Sequence, residues 1–417
     1  MKMSKLFLGF LCSGLVTSVL FSILTTGAAA ETRGGQNNEQ SLGWTLGPFM
    51  LLPELSLSGA YDSNIYATQD AEVSDRRLIL VPSLAIKSSG ETHRFRLNMG
   101  AQLTRFEDND TEDSDDYWLN ANGRYNLGAQ SHLFGGFALS QKHEERGSPE
   151  DVDGREPTVY FSSGLHLGTE FTSHNLSLRF GGTLQDLDFD DVPTFTTTIN
   201  NDDRDRSLYG LGLRASYKLN SRHSPFLQLI YDQRNYVQDA DDNSFIRDSQ
   251  GYRAALGLKS EWATLSSEIY AGTLWQDYDD ARFKTVSDLD CGVRVSWKPR
   301  SGTKIILNLE RDLNETTLAE SSGYLSTAAQ LTLVQQLANP LSLSGQVRFT
   351  QDDYQQITRK DDILDAGVGF KYDLSRHLYL AADYSFIQQD SKPKTASSLT
   401  SNDYERQLIF VTLGIKI

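Results

Sequence analysis

The sequence is poor in cysteine, in basic charge and in long apolar runs. Its two cysteines are Cys12 and Cys291. Because we expect the segment around Cys12 to be removed, an intramolecular disulfide is excluded from the mature chain. Acidic residues outnumber basic ones by 55 to 39, which argues against nucleic acid as a partner. Beyond residue 30 no apolar run reaches the roughly 18 residues of a transmembrane helix, so such helices are excluded from the mature chain.

Strict alternation of apolar and polar residues fills most of the chain after residue 50. Successive side chains of a strand point to opposite faces, so each such segment has one apolar and one polar face. The segments run for roughly 12–16 residues, whereas crossing a bilayer at a tilt takes about 9–11. This pattern predicts an all-β fold, a transmembrane antiparallel up-and-down β-barrel. One example of the apolar set is Phe95, Leu97, Met99, Ala101 and Leu103.

The N-terminus has the features of a secretory signal peptide. Lys2 and Lys5 precede an apolar run over residues 6–24, and three alanines at 28–30 offer a small-residue cleavage site. Its removal takes away two lysines and no acid, which changes the formal charge from −16 to −18. We therefore expect three regions: a signal peptide (1–30), a periplasmic N-terminal tail (31–48) and an outer-membrane β-barrel (49–417).

We count eighteen strands, and uncertainty at their ends leaves sixteen open. The connections alternate between short turns and longer acidic loops, such as 107–115, 144–155, 188–203 and 238–247. Outer-membrane barrels have short periplasmic turns and longer extracellular loops. We therefore expect a location in the outer membrane of a Gram-negative bacterium, with both termini in the periplasm. The strands are predicted at 50–61, 75–87, 92–106, 116–127, 132–143, 156–170, 174–187, 204–219, 224–237, 248–260, 263–278, 285–298, 303–315, 322–337, 341–355, 360–374, 378–391 and 403–417.

No catalytic or metal-binding constellation stands out. The histidines lie mostly at short turns spread around one rim, and no Ser–His–acid site converges, so we expect no enzyme and no cofactor. Asp108, Asp110 and Glu112 have the alternate spacing that begins a calcium loop, but its glycine and distal glutamate are missing. We expect solvated acidic loops without a metal site, and loose divalent bridging to lipopolysaccharide phosphates is the alternative.

The polar face carries many charges, which we expect to point into the barrel. Charge on the lipid face at the midplane costs about 2–4 kcal/mol, and a barrel of 16–18 strands can leave an aqueous channel. Lumen guanidinium groups bind anionic groups and select anions; alternatively, these charges pair with lumen acids and only stiffen the wall. The predicted basic lining is Arg94, Arg96, Arg124, Arg179, Arg214, Arg253, Arg294 and Arg348. The predicted lumen acids include Glu268, Asp290, Glu310, Asp352, Asp365, Asp373 and Asp383.

Two segments resemble a known family. The first runs from Leu55 to Tyr66 and ends in Tyr-Asp-Ser-Asn-Ile-Tyr; the second, from Tyr404 to Gly414, is similar to a closing strand. Both resemble the type 2 family of outer-membrane β-barrel porins, many of which are encoded beside exopolysaccharide or capsule synthesis and export genes. The resemblance implies a porin or channel that exports an exopolysaccharide or capsular polysaccharide, and it supplies no catalytic residues.

Two other functions stay open: a general small-solute diffusion porin, and a structural or adhesive barrel with a plugged lumen. The expected partners are outer-membrane lipids, lipopolysaccharide and the barrel assembly machinery, which reads an alternating last strand. Periplasmic polysaccharide-export components are a further expected partner if the export function holds. The alternating residues of that strand are Ile409, Val411, Leu413, Ile415 and Ile417.

We predict that the mature protein begins near Glu31 and runs in the outer-membrane fraction as a heat-modifiable band. Closed barrels resist detergent until boiled, so boiled and unboiled samples are expected to differ in electrophoretic mobility. Membrane fractionation with N-terminal sequencing checks this. Recovery from the soluble periplasm would contradict it.

Overall fold

A computed structural model describes residues 43–90, 92–152, 154–392 and 402–417. Eighteen long antiparallel strands dominate it. They are β1 (Phe49–Asp62), β2 (Asp75–Ser89), β3 (His93–Phe106), β4 (Ser114–Asn126), β5 (Ser131–His143), β6 (Val159–Ser173), β7 (Leu176–Phe189), β8 (Arg206–Tyr217), β9 (His223–Tyr236), β10 (Ser249–Glu261), β11 (Leu265–Tyr278), β12 (Val286–Trp297), β13 (Thr303–Asn314), β14 (Tyr324–Ala338), β15 (Leu341–Tyr354), β16 (Lys360–Asp373), β17 (Leu378–Lys392) and β18 (Tyr404–Lys416). The predicted signal peptide and the first part of the predicted tail lie outside the described residues.

The sheet closes on itself. Each strand pairs with its neighbours in the chain, and β1 pairs with β18 from Glu54 opposite Lys416 to Asp62 opposite Leu408. The predicted antiparallel up-and-down barrel of eighteen strands is therefore confirmed. Every predicted strand end lies within three residues of the observed one, with the largest shift at β6. Across the described residues, no helix has the length and apolar character needed to span a membrane.

Alternation along each strand separates an outer from an inner face. On β18 the side chains of Ile409, Val411 and Leu413 are exposed, while Leu408 and Phe410, at the alternate positions, are buried. Exposed aromatic side chains stand near both ends of β8, at Tyr209 and Tyr217. An apolar outer band edged by aromatic residues is the lipid-facing surface of a transmembrane barrel.

The connections define two different rims. The short-turn rim has tight connections, such as residues 174–175 and 339–340, and the long-loop rim has long ones, such as residues 144–158 and 190–205. Before β1, a short strand at Trp44–Leu46 pairs with Phe49–Leu51, so the end of the predicted tail is ordered onto the barrel.

The long loops do not behave as the solvated segments that the sequence led us to expect. Glu112, Arg146 and Asp241 lie in three different loops, and each is buried. A carboxylate can leave water when a guanidinium group replaces its hydration, and the local sequence gives no information about which arginine does so. The long-loop rim is therefore packed, and it covers part of the lumen.

We predict that Leu211→Arg blocks assembly, because Leu211 lies at the centre of β8 on the lipid face with 49% of its surface exposed. Arginine there costs about 2–4 kcal/mol. The control is Arg96→Leu, an inner-face change that is expected to leave the heat-modifiable band intact. Equal assembly of both variants, measured by that band, would contradict the assignment of the two faces.

Candidate functional site in the barrel lumen

Direct contacts identify several arginines on the inner face. The Nη1 atom of Arg214 on β8 lies 2.9 Å from Oε1 of Glu268 on β11. Arg253 on β10 makes a 3.0 Å contact with Asp312 on β13. In both cases the partners are three strands apart, about 14 Å along the wall. Side chains bridge such a separation on the concave side of a curved sheet, so these residues face the lumen.

Two arginines of the predicted lining, Arg179 on β7 and Arg214 on β8, lie over aromatic rings. The guanidinium carbon of Arg179 is 4.1 Å from the centre of Phe134, and that of Arg214 is 3.6 Å from the centre of Phe226. Glycine makes room for one of these rings, since a Cβ atom on Gly257 would come within 2.2 Å of the Phe226 ring. Each guanidinium group lies over its ring at a distance typical of a cation–π interaction.

A second group of cations gathers near the short-turn rim on β2, β3 and β4, and we call Lys87, Arg94, Arg96 and Arg124 the basic cluster. Lys87 is directly opposite Arg96, and Arg94 is directly opposite Arg124. Like charges in such positions destabilise a sheet. Arg96 and Arg124 donate hydrogen bonds to Asn98 and Asn126, which carry no charge. The cluster therefore brings four cations together on one part of the inner face.

The opposite wall is rich in acids. In a ring of eighteen, β12 is nine strands from β3, and it carries Asp290 on its inner face. Glu310 lies on the neighbouring strand β13, and Asp365 lies on β16. Arg348 on β15 is 3.7 Å from Glu310 and directly opposite Asp365. Arg294 is directly opposite Glu268. The predicted basic lining thus divides into the basic cluster and a set of arginines beside acids: Arg179, Arg214, Arg253, Arg294 and Arg348.

The loop between β5 and β6, residues 144–158, folds inward, and we call it the inner loop. Both carboxylate oxygens of Glu112 accept hydrogen bonds from Arg146, at 3.0 and 2.7 Å. Glu144 is held by Arg204 with a shortest distance of 2.5 Å. Burial raises the pKa of Glu144 above its ordinary value, although Arg204 acts in the opposite direction. The inner loop is thus fixed to its neighbours by buried ion pairs.

The inner loop also reaches across the lumen. On one side Glu145 lies 3.8 Å from Arg406 of β18. On the other side Oε2 of Glu150 accepts hydrogen bonds from the backbone N–H and the hydroxyl of Thr317, at 3.1 and 3.4 Å. Thr317 follows β13, eight strands from β5 in the ring of eighteen, so the two loops come from nearly opposite walls. They narrow the long-loop mouth.

The residues with the spacing of a calcium loop, Asp108, Asp110 and Glu112, have other roles in the structure. Asp110–Glu112 forms a single 3-10 turn, and the Glu112 carboxylate is occupied by Arg146. Within the described ranges, no three His, Cys, Asp or Glu side chains are close enough to hold a metal ion. Asp108, Asp110 and Glu112 are therefore not gathered into a metal site by this fold.

Sequence reasoning missed a buried ion pair at the joint where the barrel closes. Arg406 donates to both oxygens of Asp62, with a shortest distance of 2.6 Å, and the two residues are 4% and 0% exposed. Arg77 lies 3.7 Å from the same carboxylate. The amide of Asn64 donates to the backbone carbonyl of Glu405 at 3.0 Å. The signal was present, because Asp62, Asn64, Glu405 and Arg406 fall in the two segments that carry the family resemblance.

Comparison with known proteins agrees with that resemblance. The sequence model of one family, described as "Putative beta-barrel porin 2", matches residues 39–417. No curated protein matches the sequence. Among solved structures, the chain is similar to the outer membrane protein OpdK from Pseudomonas aeruginosa at 13% identity, covering 88% of this chain and 99% of that chain, with a TM-score of 0.43. OpdO from the same organism is similar at 13% identity, covering 88% and 97%, with a TM-score of 0.44.

We predict that Arg406→Leu strongly destabilises the barrel, because it leaves the buried Asp62 carboxylate with the more distant Arg77 as its nearest cation. Removing one partner of a buried pair costs about 3–5 kcal/mol. The control is Arg76→Leu, which removes an exposed pair with Glu107 and is expected to cost less than about 1 kcal/mol. Urea unfolding in lipid vesicles measures both. Similar losses would contradict the special role of the closing pair.

Proposed function

This chain belongs to the Putative beta-barrel porin 2 family, and on that premise we propose that it is an outer-membrane channel for small solutes, with a preference for anions. Family and fold are those of a channel rather than of an enzyme. The observation that carries the proposal is the inner loop, which reaches into the lumen and meets the loop after β13, from the nearly opposite wall, through Glu150 and Thr317.

The size limit follows from that contact. A ring of eighteen tilted strands is about 35 Å across at the backbone, wide enough for a polymer if it were empty. Inward side chains, the inner loop and the loop after β13 take up part of this width. Buried ion pairs such as Arg146 with Glu112 hold the inner loop in place. A narrowed mouth of this kind favours small solutes over a polysaccharide chain.

The charge preference follows from the basic cluster. Arg94, Arg96 and Arg124 are exposed on the inner face near one entrance. Guanidinium groups bind carboxylates and phosphates with two parallel hydrogen bonds. Charge of one sign at a low-dielectric entrance raises the local concentration of ions of the opposite sign. Small organic anions are therefore the solutes that we expect to enter most readily.

A second candidate is export of an acidic exopolysaccharide or capsular polysaccharide. It is favoured by the separation of charge along the axis, with the basic cluster at the short-turn rim and acidic loops at the other. If the short-turn rim faces the periplasm, a polymer bearing carboxylates is attracted at its entry and repelled from re-entering. This function requires the inner loop to move aside. A third, a structural or adhesive barrel, would conduct no ions.

We predict that the purified barrel is anion-selective in planar bilayers at low salt and loses this preference as salt screens the cluster. The triple variant Arg94→Gln, Arg96→Gln, Arg124→Gln is expected to shift the reversal potential toward cation preference. The control is Arg76→Gln, whose side chain is 77% exposed at the long-loop rim, and it is expected to change nothing.

Three outcomes would count against this function. Cation preference of the unmodified barrel would remove the role of the basic cluster. A barrel that conducts no ions would favour a structural or adhesive role. Exclusion of small polyethylene glycols from the pore, together with loss of surface polysaccharide but not of its synthesis in a deletion strain, would favour polymer export by a pore that opens only in the cell.

A further inference from the structure

The hydrogen-bonded wall is interrupted between β12 and β13. Their pairing begins at Trp297 opposite Ile305 and stops at Gly292 opposite Glu310, although both strands continue toward the long-loop rim. On the other side of each strand the pairing reaches the rim, as at Gln276 with Val286 and Asn314 with Tyr324. Every other neighbouring pair of the described sheet is likewise paired to within a few residues of this rim.

Beyond this point the β13–β14 hairpin bends into the barrel, and we call residues 311–327 the hairpin tip. Leu313 and Leu325 occupy the lipid-facing register of their strands, yet they are 1% and 2% exposed. They pack against Leu274 and Val286, which belong to the inner faces of β11 and β12. The outer face of the tip therefore rests on the inner face of the wall.

Where β12 and β13 are not paired, side chains form hydrogen bonds with backbone groups of the two strands. The N–H of Leu289 donates to Asp288 at 2.6 Å, and the carbonyl of Leu313 accepts from Arg234 at 3.3 Å. Unpaired backbone groups are costly at membrane depth. Their replacement partners indicate that the bent arrangement is a stable state of this segment.

Ion pairs hold the tip in its bent position. Arg311 lies 3.0 Å from Asp288 of β12, and Asp312 lies 3.0 Å from Arg253 of β10. Glu315 pairs with Arg234 of β9. At its end the tip joins the inner loop through Thr317. The contacts of the tip thus connect three wall strands and a loop, all on the lumen side.

The charge pattern explains why the ladder is left incomplete. If pairing continued in register, Asp312 would stand directly opposite Asp290, and Arg311 would enter the lipid-facing register beside Cys291. Like charges directly opposite one another destabilise a sheet, and a cation is disfavoured against lipid. A completed ladder would in return supply the missing backbone hydrogen bonds. A completed ladder would thus be a second arrangement of the segment, with its own set of contacts.

We propose that the hairpin tip is the gate of the channel. Bent inward it obstructs the lumen; paired with β12 it completes the wall and clears the passage. The β14 residues of the tip stay paired with β15 as far as Tyr324 opposite Tyr354. The β13 edge is not paired with β12 beyond Glu310, so the tip moves between these positions together with the end of β15 and without breaking a strand pair. Such a two-state element responds to whatever binds one arrangement better than the other. The gate rests on the proposed channel function, and the test separates the two.

Paired cysteines test the two positions in a Cys291→Ser background, which removes the one cysteine after the signal peptide. Leu289→Cys with Leu313→Cys places the thiols directly opposite in the completed ladder, so their disulfide locks the tip outward. Leu274→Cys with Leu313→Cys joins residues that touch in the bent state, through a short bis-methanethiosulfonate, and locks it inward. We expect single-channel conductance to rise several-fold with the first lock, to fall with the second, and to recover on reduction.

The disulfide itself reports the motion independently of conduction. Failure of the 289–313 disulfide to form under oxidising conditions would overturn the outward state, even in a barrel that conducts. Formation without any change in conductance would show a moving tip that does not gate. If no form of the barrel conducts, the channel function fails and the gate fails with it, whatever the disulfide does.

A single substitution gives a second test without cross-linking. Arg311→Leu removes the contact with Asp288 and makes the lipid-facing register acceptable, so the open fraction is expected to rise several-fold. The matched control is Arg105→Leu. Arg105 also stands in the lipid-facing register near the same rim and pairs with Asp115 at 2.7 Å. Its strand β3, however, is hydrogen-bonded to both neighbouring strands. Equal effects of the two variants on conductance would overturn the gate.

Discussion

The structure depends on one constraint: inside a bilayer, backbone N–H and C=O groups have no water to bond with. A sheet satisfies them only by closing into a ring, and the joint between the first and last strands is where closure is decided. Here the joint is reinforced by Asp62 and Arg406, two buried residues from opposite ends of the chain. Once the ring is closed, alternation assigns the side chains to lipid or to the lumen, except in the hairpin tip, where Leu313 and Leu325 turn from the lipid-facing register onto the inner wall.

Charge inside the ring then serves two different purposes. Arginines beside acids, such as Arg214 with Glu268, are partly buried and hold side chains of the wall in fixed positions. The basic cluster instead keeps like charges side by side near an entrance, an arrangement that weakens the sheet. A protein tolerates such a local cost where function benefits from it. For this reason the proposed solute preference rests on the cluster, whereas arginines such as Arg214 stabilise the wall.

The barrel could be predicted from the sequence because its determinants are local. Strand length, alternation and turn residues lie within about a dozen neighbouring positions, and all eighteen strands follow from them. The arrangement of the lumen could not, because its partners are distant in sequence: Glu150 and Thr317 are 167 positions apart. The packing of the acidic loops could not be predicted either, because their acids are expected to be solvated unless the contacts with Arg146 and Arg204 are known. The buried closing pair was accessible in principle, since Asp62 and Arg406 lie in the two family-like segments.

Charged side chains have opposite effects at two strand pairs of the wall: they favour pairing of β1 with β18 and disfavour pairing of β12 with β13 toward the long-loop rim. At β1 and β18 a carboxylate meets a guanidinium group, and the joint is closed to the rim. At β12 and β13 continued pairing would bring Asp290 opposite Asp312, and the joint stops at Gly292 and Glu310. Backbone hydrogen bonds favour closure at both places, so the difference must come from side chains. The interruption is therefore encoded in the sequence, and a change of one charge there can alter the balance between an incomplete wall and a complete one.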